Sequence, residues 1–178
     1  MARIIYKDGY SNINQLKCIE GVEIDLLNGQ KALIYPKYEK CKLLQKDESG
    51  GYGGYCFMSE IEALKAQPCD ARDNTFSLYE LGSPAARHVC YFTSDKHGSF
   101  YLPTLLAAME ICDQCTQIDE LAKSIKGADL LFTSYNSVWS SCRCTNDLAW
   151  YYNNYGGFIS SYYFYNENLA VPCVLYNC

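Results

Sequence analysis

The sequence of residues Tyr135–Cys178 is YNSVWSSCRCTNDLAWYYNNYGGFISSYYFYNENLAVPCVLYNC. It contains eight Tyr, seven Asn and five Ser, but no Lys, Met or Gln and only three charged residues. Disordered segments are poor in aromatic residues and rich in charge, so this composition disfavours disorder. Tyr supplies a large amphipathic contact area at low entropic cost, and small polar residues supply adaptable hydrogen bonds. The composition therefore indicates a surface that binds a ligand.

The length and charge of the whole chain narrow the classes of protein it can represent. A chain of 178 residues predicts a single domain, residues 1–178, with a substantial core. The net charge of -5 disfavours a binder of nucleic acid or of anionic membranes, which would carry a stripe of Lys and Arg. The N-terminus has no apolar signal core, and no later run approaches the roughly 20 apolar residues of a membrane helix. We therefore expect no direct membrane insertion.

The chain has eleven cysteines, an odd and high number. Their spacing matches no small disulfide scaffold, so we expect reduced thiols that pack as small hydrophobic side chains. The pairs Cys112-x-x-Cys115 and Cys142-x-Cys144 are of a kind found in metal and redox sites. A structural zinc site needs two well-formed pairs, or one pair with nearby His, and the only histidines are His88 and His97. The sequence therefore predicts neither a metal site nor a cofactor.

The first part of the chain has the pattern of a β-hairpin. Apolar residues alternate with acidic ones over residues 22–26, Asn28-Gly29 supplies the turn, and residues 32–35 resume the apolar run. Residues 3–6 are predicted to form a short edge strand.

The region that follows is predicted to be a surface loop. Residues 37–46 are charged and aperiodic, and residues 50–55 are too rich in glycine for a regular element. A phosphate-binding loop would need a Lys-Ser or Lys-Thr pair directly after these glycines, and no such pair follows them.

The middle of the chain carries the start and stop signals of several helices. The predicted caps are Ser59 with Glu62, Asp73-Asn74-Thr75, Ser83 before Pro84, and Thr104, and a continuation over residues 117–125 ends at Lys126-Gly127. No acid or nucleophile lies at a sequence spacing from His88 that would indicate a catalytic site. We therefore interpret His88 as a helix residue at the margin of the core. Beyond Gly127, short aromatic runs broken by Asn, Gly and Ser predict antiparallel strands and long loops. A hairpin, then helices, then irregular β structure predicts an α+β domain and not a doubly wound sheet.

Four motifs connect this order of elements to a known family. They are Leu102-Pro103-Thr104, Trp139-Ser140-Ser141, Ala149-Trp150 and the closing Pro172. In order and spacing the chain resembles the variable proteins of diversity-generating retroelements, which occur in gut bacteria and their phages. The similarity covers most of the chain after residue 20. It implies a C-type lectin-like fold of the formylglycine-generating-enzyme type, with two helices, small antiparallel β-sheets and long loops.

The chain departs from the usual family motifs at both ends of its last segment. Family members usually carry Tyr-Trp-Ser-Ser-Thr, whereas this chain has Val138 before the Trp and Cys142 after the serines. The usual closing Val-Arg-Pro-Val is replaced by residues 170–173, Ala-Val-Pro-Cys. The missing Arg removes an anchor that the resemblance implies for the last strand, either an ion pair or a hydrogen bond.

The resemblance also implies how the last segment acquires its composition. In the family, a template copy mutated at adenines overwrites the 3′ end of the gene, so that Asn codons of the AAY type become many others. Such codons cannot become Lys, Gln, Met, Trp or Glu. The segment lacks the first three, its two Trp lie in family motifs, and Glu167 is explained as a fixed residue or as a mutated Lys codon.

The resemblance implies that residues 135–178 form a C-terminal variable region that binds the ligand. We assign Trp139 and Trp150 to its scaffold, with indole N–H groups bonded to the motif serines or to backbone carbonyls. The predicted ligand-binding residues are Tyr135, Cys142, Arg143, Cys144, Thr145, Asn146, Tyr151, Tyr152, Asn153, Tyr155, Ser160, Tyr162, Tyr163, Tyr165 and Asn168. Because side chains alternate along a strand, we expect about two thirds of them to be exposed. On this hypothesis Cys142 and Cys144 are products of diversification and not metal ligands.

The implied function is non-enzymatic recognition of a protein or a cell-surface glycan, with protein preferred because the surface is broad. Calcium-dependent sugar binding needs clustered carboxylates, and Asp147 and Glu167 are too few. Two alternatives remain: a cysteine-dependent oxidase like the formylglycine-generating enzymes, using Cys173 and Cys178, and a structural subunit that assembles with copies of itself in a virion. The expected location is the cytoplasm or a phage virion.

Overall fold

The computed structural model describes residues 2–11, 13–45, 55–131 and 137–177. The chain has a mixed α+β architecture with small sheets. The strands are β1 (Arg3–Tyr6), β2 (Ile19–Asp25), β3 (Gln30–Ile34), β4 (Glu39–Lys42), β5 (Thr93–Ser94), β6 (Gly98–Ser99), β7 (Ser137–Arg143), β8 (Leu148–Asn153), β9 (Phe158–Tyr163), β10 (Glu167–Ala170) and β11 (Cys173–Asn177). The helices are α1 (Glu60–Leu64), α2 (Pro68–Glu80), α3 (Pro84–Cys90), α4 (Leu105–Asp113) and α5 (Cys115–Lys123). Within the described ranges, no helix is long and apolar enough to cross a membrane.

The first sheet joins the two ends of the chain. Its strand order is β1-β2-β3-β11, and every pairing is antiparallel. The predicted hairpin and the predicted edge strand are both confirmed, with Gly29 in the turn at a φ of 82° that favours glycine. The last strand, β11, lies along β3 and pairs Cys173 with Ile34. The fourth strand of this sheet is therefore supplied by the end of the C-terminal segment.

The second sheet has the strand order β4-β10-β7-β8-β9. Three of its pairings are antiparallel, but β10 lies parallel to β7 through the pair Leu169 and Val138. The expectation of antiparallel strands alone was therefore wrong at this pair. A parallel pair needs a connection that returns to the same end of the sheet. Here β8 and β9 form that connection, so they extend the sheet beyond β7 on the side away from β10.

The prediction of a surface loop over residues 37–46 was wrong. Residues 39–42 form β4, which pairs with β10 through Cys41 and Asn168. Leu43 and Leu44 then turn inward and are fully buried. Strand formation depends on the partner strand more than on local preference, and this partner lies more than 120 residues away in sequence. The glycine run at residues 50–54 lies outside the described residues.

Local capping chemistry places most of the helices. Ser59 and Glu62 form the predicted capping box of α1, and the hydroxyl groups of Ser83 and Thr104 cap α3 and α4. The predicted cap at Asp73-Asn74-Thr75 was wrong, because those residues lie in the middle of α2. That helix begins at Pro68, a residue suited to the first helical position. The described chain has five α-helices, and not the two that the resemblance implied.

The helices cover both faces of the second sheet. Helix α4 packs on β7 and β8 from one side, and α2 packs on β7 from the other, while α3 packs on β4 and β10. The central strand β7 is consequently buried on both faces over residues 138–142. Strand β9 lies at the edge of the sheet and contains no buried residue. The sheet is therefore a core element at β7 and a surface element at β9.

Glu23 of β2 joins the two ends of the chain through three donors. Its carboxylate accepts hydrogen bonds from Arg3 and Lys31, each 2.8 Å long, and from the hydroxyl group of Tyr176 on β11. Its side chain is almost completely buried. Burial alone would raise the pKa of Glu23, but the hydrogen bonds from Lys31, Tyr176 and Arg3 outweigh it and lower the pKa below 4.5.

We expect Glu23→Gln to lower the free energy of unfolding by about 1–3 kcal/mol at neutral pH, because it removes charge-assisted hydrogen bonds. A carboxyl group with a lowered pKa in the folded state stabilises fully above its unfolded pKa. That contribution is lost as the pH falls through the folded pKa. Urea unfolding between pH 7 and pH 3 should therefore show a smaller loss of stability for Glu23→Gln than for the natural chain. The exposed Glu80→Gln is the control, and parallel curves for all three proteins would contradict the assignment.

Candidate functional site

Two tryptophans anchor the C-terminal segment to the rest of the chain. Trp139 of β7 has 0% of its surface exposed, and its indole N–H donates to the carbonyl oxygen of Cys41, 2.9 Å away. The indole N–H of Trp150, on β8, donates to the carbonyl oxygen of Phe57 at 2.8 Å. The predicted scaffold role and the predicted backbone partners are confirmed. Both bonds connect the segment to strands or loops that precede the helices in sequence.

The two serines after Trp139 hold an irregular part of β7. The register between β7 and β8 shifts between Trp139 and Arg143. The hydroxyl group of Ser140 donates to the carbonyl oxygen of Trp150 at 2.7 Å, and that of Ser141 donates to the carbonyl oxygen of Pro103 at 3.2 Å. A bulge leaves backbone groups without strand partners, so side-chain bonds of this kind stabilise it. Both serines are fully buried and are therefore structural.

Asn74 of α2 makes buried hydrogen bonds to other parts of the chain, whereas sequence reasoning misassigned it as a helix cap. Its side-chain amide donates to the carbonyl oxygens of Tyr55 and Ser141, at 3.1 and 3.0 Å. Its side-chain oxygen accepts from the backbone N–H of Tyr55 at 2.8 Å. Asn74 is fully buried, so it joins α2, β7 and the residues before α1 in one hydrogen-bonded unit. A polar residue in the middle of a helix was the available signal, because such residues are usually explained by a specific partner.

Opposite residues of β8 and β9 bring aromatic and polar side chains to one face of the sheet. Tyr151 pairs with Ser160, and Asn153 pairs with Phe158, so these four side chains point the same way. Tyr162 lies on this face too, and its ring centre is 5.8 Å from that of Tyr151. Tyr151 in turn packs edge to face on Trp139, 6.2 Å away. Side-chain exposure on this face therefore increases from the buried Trp139 on β7 to the exposed rings on β9.

The turns at the two ends of β8 carry more exposed side chains. Tyr155, in the turn between β8 and β9, has 73% of its surface exposed. In the turn between β7 and β8, the hydroxyl group of Thr145 accepts hydrogen bonds from the backbone of Asp147 and Leu148, which fixes the turn. On the other face of β9, the ring of Tyr163 stacks on that of Tyr165, 5.1 Å apart. We call the exposed part of residues 143–165 the β8–β9 surface.

The predicted ligand-binding residues divide into three groups by exposure. Exposed side chains are those of Thr145, Asn146, Tyr155, Tyr162 and Tyr163. Partly buried side chains are those of Arg143, Cys144, Tyr151, Asn153, Ser160 and Tyr165. Buried side chains are those of Cys142, Tyr152 and Asn168. Tyr135 lies outside the described residues, and the exposed group is smaller than the two thirds expected.

The three buried residues belong to the core and not to the β8–β9 surface. Cys142 packs beneath α1, where burial raises the pKa of its thiol to about 11. Tyr152 points to α4 and its hydroxyl group donates to Asp113 at 3.2 Å; burial and then the Asp113 charge raise its pKa to about 12. Asn168 lies on β10 between two strands. Alternation along β8 and the central positions of β7 and β10 place these side chains inward.

Residues before α1 border the β8–β9 surface, and sequence reasoning missed them. The backbone N–H of Phe57 donates to the carbonyl oxygen of Arg143 at 2.8 Å, which places this stretch beside the end of β7. Met58 and Ile61 follow it and expose large apolar side chains. Exposed apolar groups next to a candidate surface extend its contact area. No local signal predicted this neighbour, because it depends on pairing across more than 80 residues.

The cysteines and histidines form no evident metal centre within the described residues. No group of three or more His, Cys, Asp or Glu side chains is positioned to hold a metal ion in those parts of the chain. Cys112 and Cys115 are both buried, and burial raises the pKa of the Cys112 thiol. His88 lies at the margin of the core, as predicted, with its ring nitrogens 3.0 Å from the carbonyl oxygen of Lys37 and from the carboxylate of Glu39.

Comparison with known proteins gives no relative for this chain. No protein-family model, no curated protein and no solved structure matches it.

Proposed function

We propose that this chain is a hypervariable ligand-binding protein, diversified by a retroelement, with a C-type lectin-like scaffold. The β8–β9 surface presents Tyr, Asn and Ser side chains to a protein ligand. The protein acts by recognition and not by catalysis.

The observation that carries this proposal is the separation of two kinds of residue within one segment. The family-motif residues Trp139, Ser140, Ser141 and Ala149 are fully buried. Three tyrosines outside those motifs, Tyr155, Tyr162 and Tyr163, are exposed by 73%, 44% and 46%. A scaffold that must accept many sequences needs fixed side chains inside and interchangeable side chains outside.

The shape and chemistry of the β8–β9 surface favour a protein ligand. Its exposed rings lie on both faces of the edge strand β9 and on the turn before it, so they follow an open edge of the sheet. Tyr at such a patch supplies contact area and a hydrogen-bonding hydroxyl group at low entropic cost. Met58 and Ile61 add apolar area from outside the diversified segment. A glycan ligand remains the second choice.

We restrict the positions that vary in this proposal to those that are not buried. Cys142, Tyr152 and Asn168 are buried, so we move them from the diversified surface to the scaffold. Cys144 stays with the surface, because it is only partly buried at the start of a turn. The interpretation of Cys142 as a product of diversification is therefore withdrawn on structural grounds.

The environment of Cys173 gives no support to the oxidase alternative. Cys173 is fully buried on β11, and burial raises the pKa of its thiol. Reactive thiolates occupy exposed, electropositive sites that lower their pKa. The second cysteine of the pair, Cys178, lies outside the described residues.

Sequencing the DNA around the gene tests the retroelement. We expect an Asn-rich near-copy of the DNA for residues 135 to about 168, together with a neighbouring reverse transcriptase gene. A genome with neither would refute diversification. It would not affect the proposal of a C-type lectin-like scaffold.

A library tests the recognition surface directly. Randomising Asn146, Tyr155, Ser160, Tyr162 and Tyr163 with AAY-derived codons should leave most variants folded, since exposed substitutions change stability little. Selection of the displayed library against hen lysozyme, as an arbitrary protein target, should then yield specific binders. The matched control library randomises the buried Val138, Tyr152 and Asn168 and should be mostly unfolded by protease resistance. Equal folded fractions in both libraries, or no binder from the first, would refute the proposed surface.

A further inference from the structure

A cavity of about 700 Å³ lies well outside the β8–β9 surface. It is bounded by α2, by the turn and second strand of the β5–β6 hairpin, and by β11. Its buried floor includes Phe100 and Leu175. Small-molecule sites are typically concave, mostly apolar and between about 300 and 1,000 Å³. The cavity therefore has the size and floor of a small-molecule site.

Aromatic side chains form two walls of this cavity. On α2, Phe76 and Tyr79 are three residues apart and so share one helical face, where both are substantially exposed. On the other side, the rings of His97 and Tyr176 stack with their centres 4.2 Å apart and an interplanar angle of 22°. The hydroxyl group of Tyr176 is bonded to Glu23, which fixes that ring. Rings on both sides of a cavity suit a flat aromatic ligand.

The cavity is lined by a cation but, among the described residues, by no carboxylate. Arg72 is one of its lining residues, whereas none of the described Asp or Glu side chains lines it. In a chain of net charge -5, a wall without carboxylates is a distinct local environment. Arg72 makes only a long contact with the neighbouring Asp73, 3.8 Å from its Nε to the carboxylate, and 69% of its side chain is exposed, so the guanidinium group can still donate to a ligand. A guanidinium group in this position favours a carboxylate, which it can bind with two parallel hydrogen bonds.

We propose that the cavity between α2 and β11 binds a small aromatic carboxylate. The ring lies between the Phe76–Tyr79 wall and the His97–Tyr176 wall, above the apolar floor. The carboxylate accepts hydrogen bonds from Arg72 at the rim. All of these residues lie outside residues 135 to about 168, so this site stays constant while the β8–β9 surface varies.

Titration of the full ¹⁵N-labelled chain by NMR tests this site. The probes are indole-3-acetate, its neutral analogue indole-3-acetamide and the cationic tryptamine. We expect indole-3-acetate to bind saturably and to shift signals from α2, residues 97–100 and β11. The neutral and cationic analogues should bind about tenfold more weakly, because they lack the charge-assisted bond to Arg72.

Three variants make the result specific. Arg72→Ala should weaken binding of the acid about tenfold and abolish its preference over the amide. The matched control Arg87→Ala removes the same charge from an exposed position of α3, outside the cavity, and should leave binding unchanged. Tyr162→Ser, on the β8–β9 surface, should also leave it unchanged, which separates this site from the proposed recognition function. The proposal is overturned by an absence of saturable binding, by equal affinity for the three probes, or by a folded Arg72→Ala protein that binds like the natural chain.

Discussion

Replacing Trp139 with alanine is expected to lower the free energy of unfolding by about 3–5 kcal/mol. Trp139 is the largest of the fully buried side chains, and it packs among residues of β4, α2, α3 and β10. Its removal leaves a cavity between the second sheet and two helices. It also leaves the carbonyl oxygen of Cys41 without the indole donor. Urea unfolding followed by circular dichroism measures the loss.

Two further variants separate the contributions of Trp139. Trp139→Phe keeps most of the apolar volume and removes the indole N–H, so its loss should be clearly smaller than that of the alanine variant. Tyr162→Ala removes an exposed ring from the same sheet and should change stability by about 0.5 kcal/mol or less. If Trp139→Ala unfolded like Tyr162→Ala, the assignment of Trp139 to the scaffold would be wrong.

Replacing Asn74 with alanine is expected to cost about 2–4 kcal/mol, because it leaves several backbone groups without a partner. The variant removes the acceptor for the N–H of Tyr55 and the donor for the carbonyl oxygens of Tyr55 and Ser141. The last of these bonds is fully buried. The same unfolding measurement applies, and hydrogen exchange should report faster opening around Tyr55 than in the first sheet.

A second variant of Asn74 and a variant of its neighbour Asp73 provide the controls. Asn74→Asp preserves the size of the side chain and the acceptor for Tyr55, but replaces the amide donor with a second oxygen facing two carbonyl groups. We expect it to be at least as destabilising as the alanine variant. Asp73→Ala changes the adjacent, exposed position of α2 and should cost little. A tolerant response to Asn74→Asp would show that the donor contacts contribute little.

Sequence reasoning succeeded where a few neighbouring residues determine the local structure. The turn at Asn28-Gly29 and the caps at Ser59, Ser83 and Thr104 were predicted correctly, because turns and caps depend on side chains within three or four residues. It failed for β4, whose charged sequence has little strand preference and forms a strand by pairing with β10. The parallel contact between β10 and β7 was also unpredictable locally.

Sequence reasoning also predicted some features of the candidate site and missed others. The scaffold assignment of Trp139 and Trp150 came from the resemblance, and the single donor of each indole ring predicted a hydrogen-bond acceptor for it. Alternation along a strand predicts that Tyr151 and Tyr152 face opposite ways, but only the contact with Asp113 of α4 identifies Tyr152 as the inward one. Asn74 lies far from the segment in sequence, and nothing near it indicates a bond to Ser141. The aromatic cavity was missed entirely, since its walls come from three separate parts of the chain.

The position of β11 has a consequence for which variants survive. This strand follows the proposed diversified segment in the chain, yet it completes the first sheet and exchanges two backbone hydrogen bonds between Cys173 and Tyr101. A product that stops early or shifts frame within the segment lacks β11 and leaves β3 with an unpaired edge. Such a product cannot complete the fold and becomes a substrate for proteases. If the segment is diversified as we propose, folding would act as a proofreading step that removes truncated and frame-shifted variants and retains those with an altered surface.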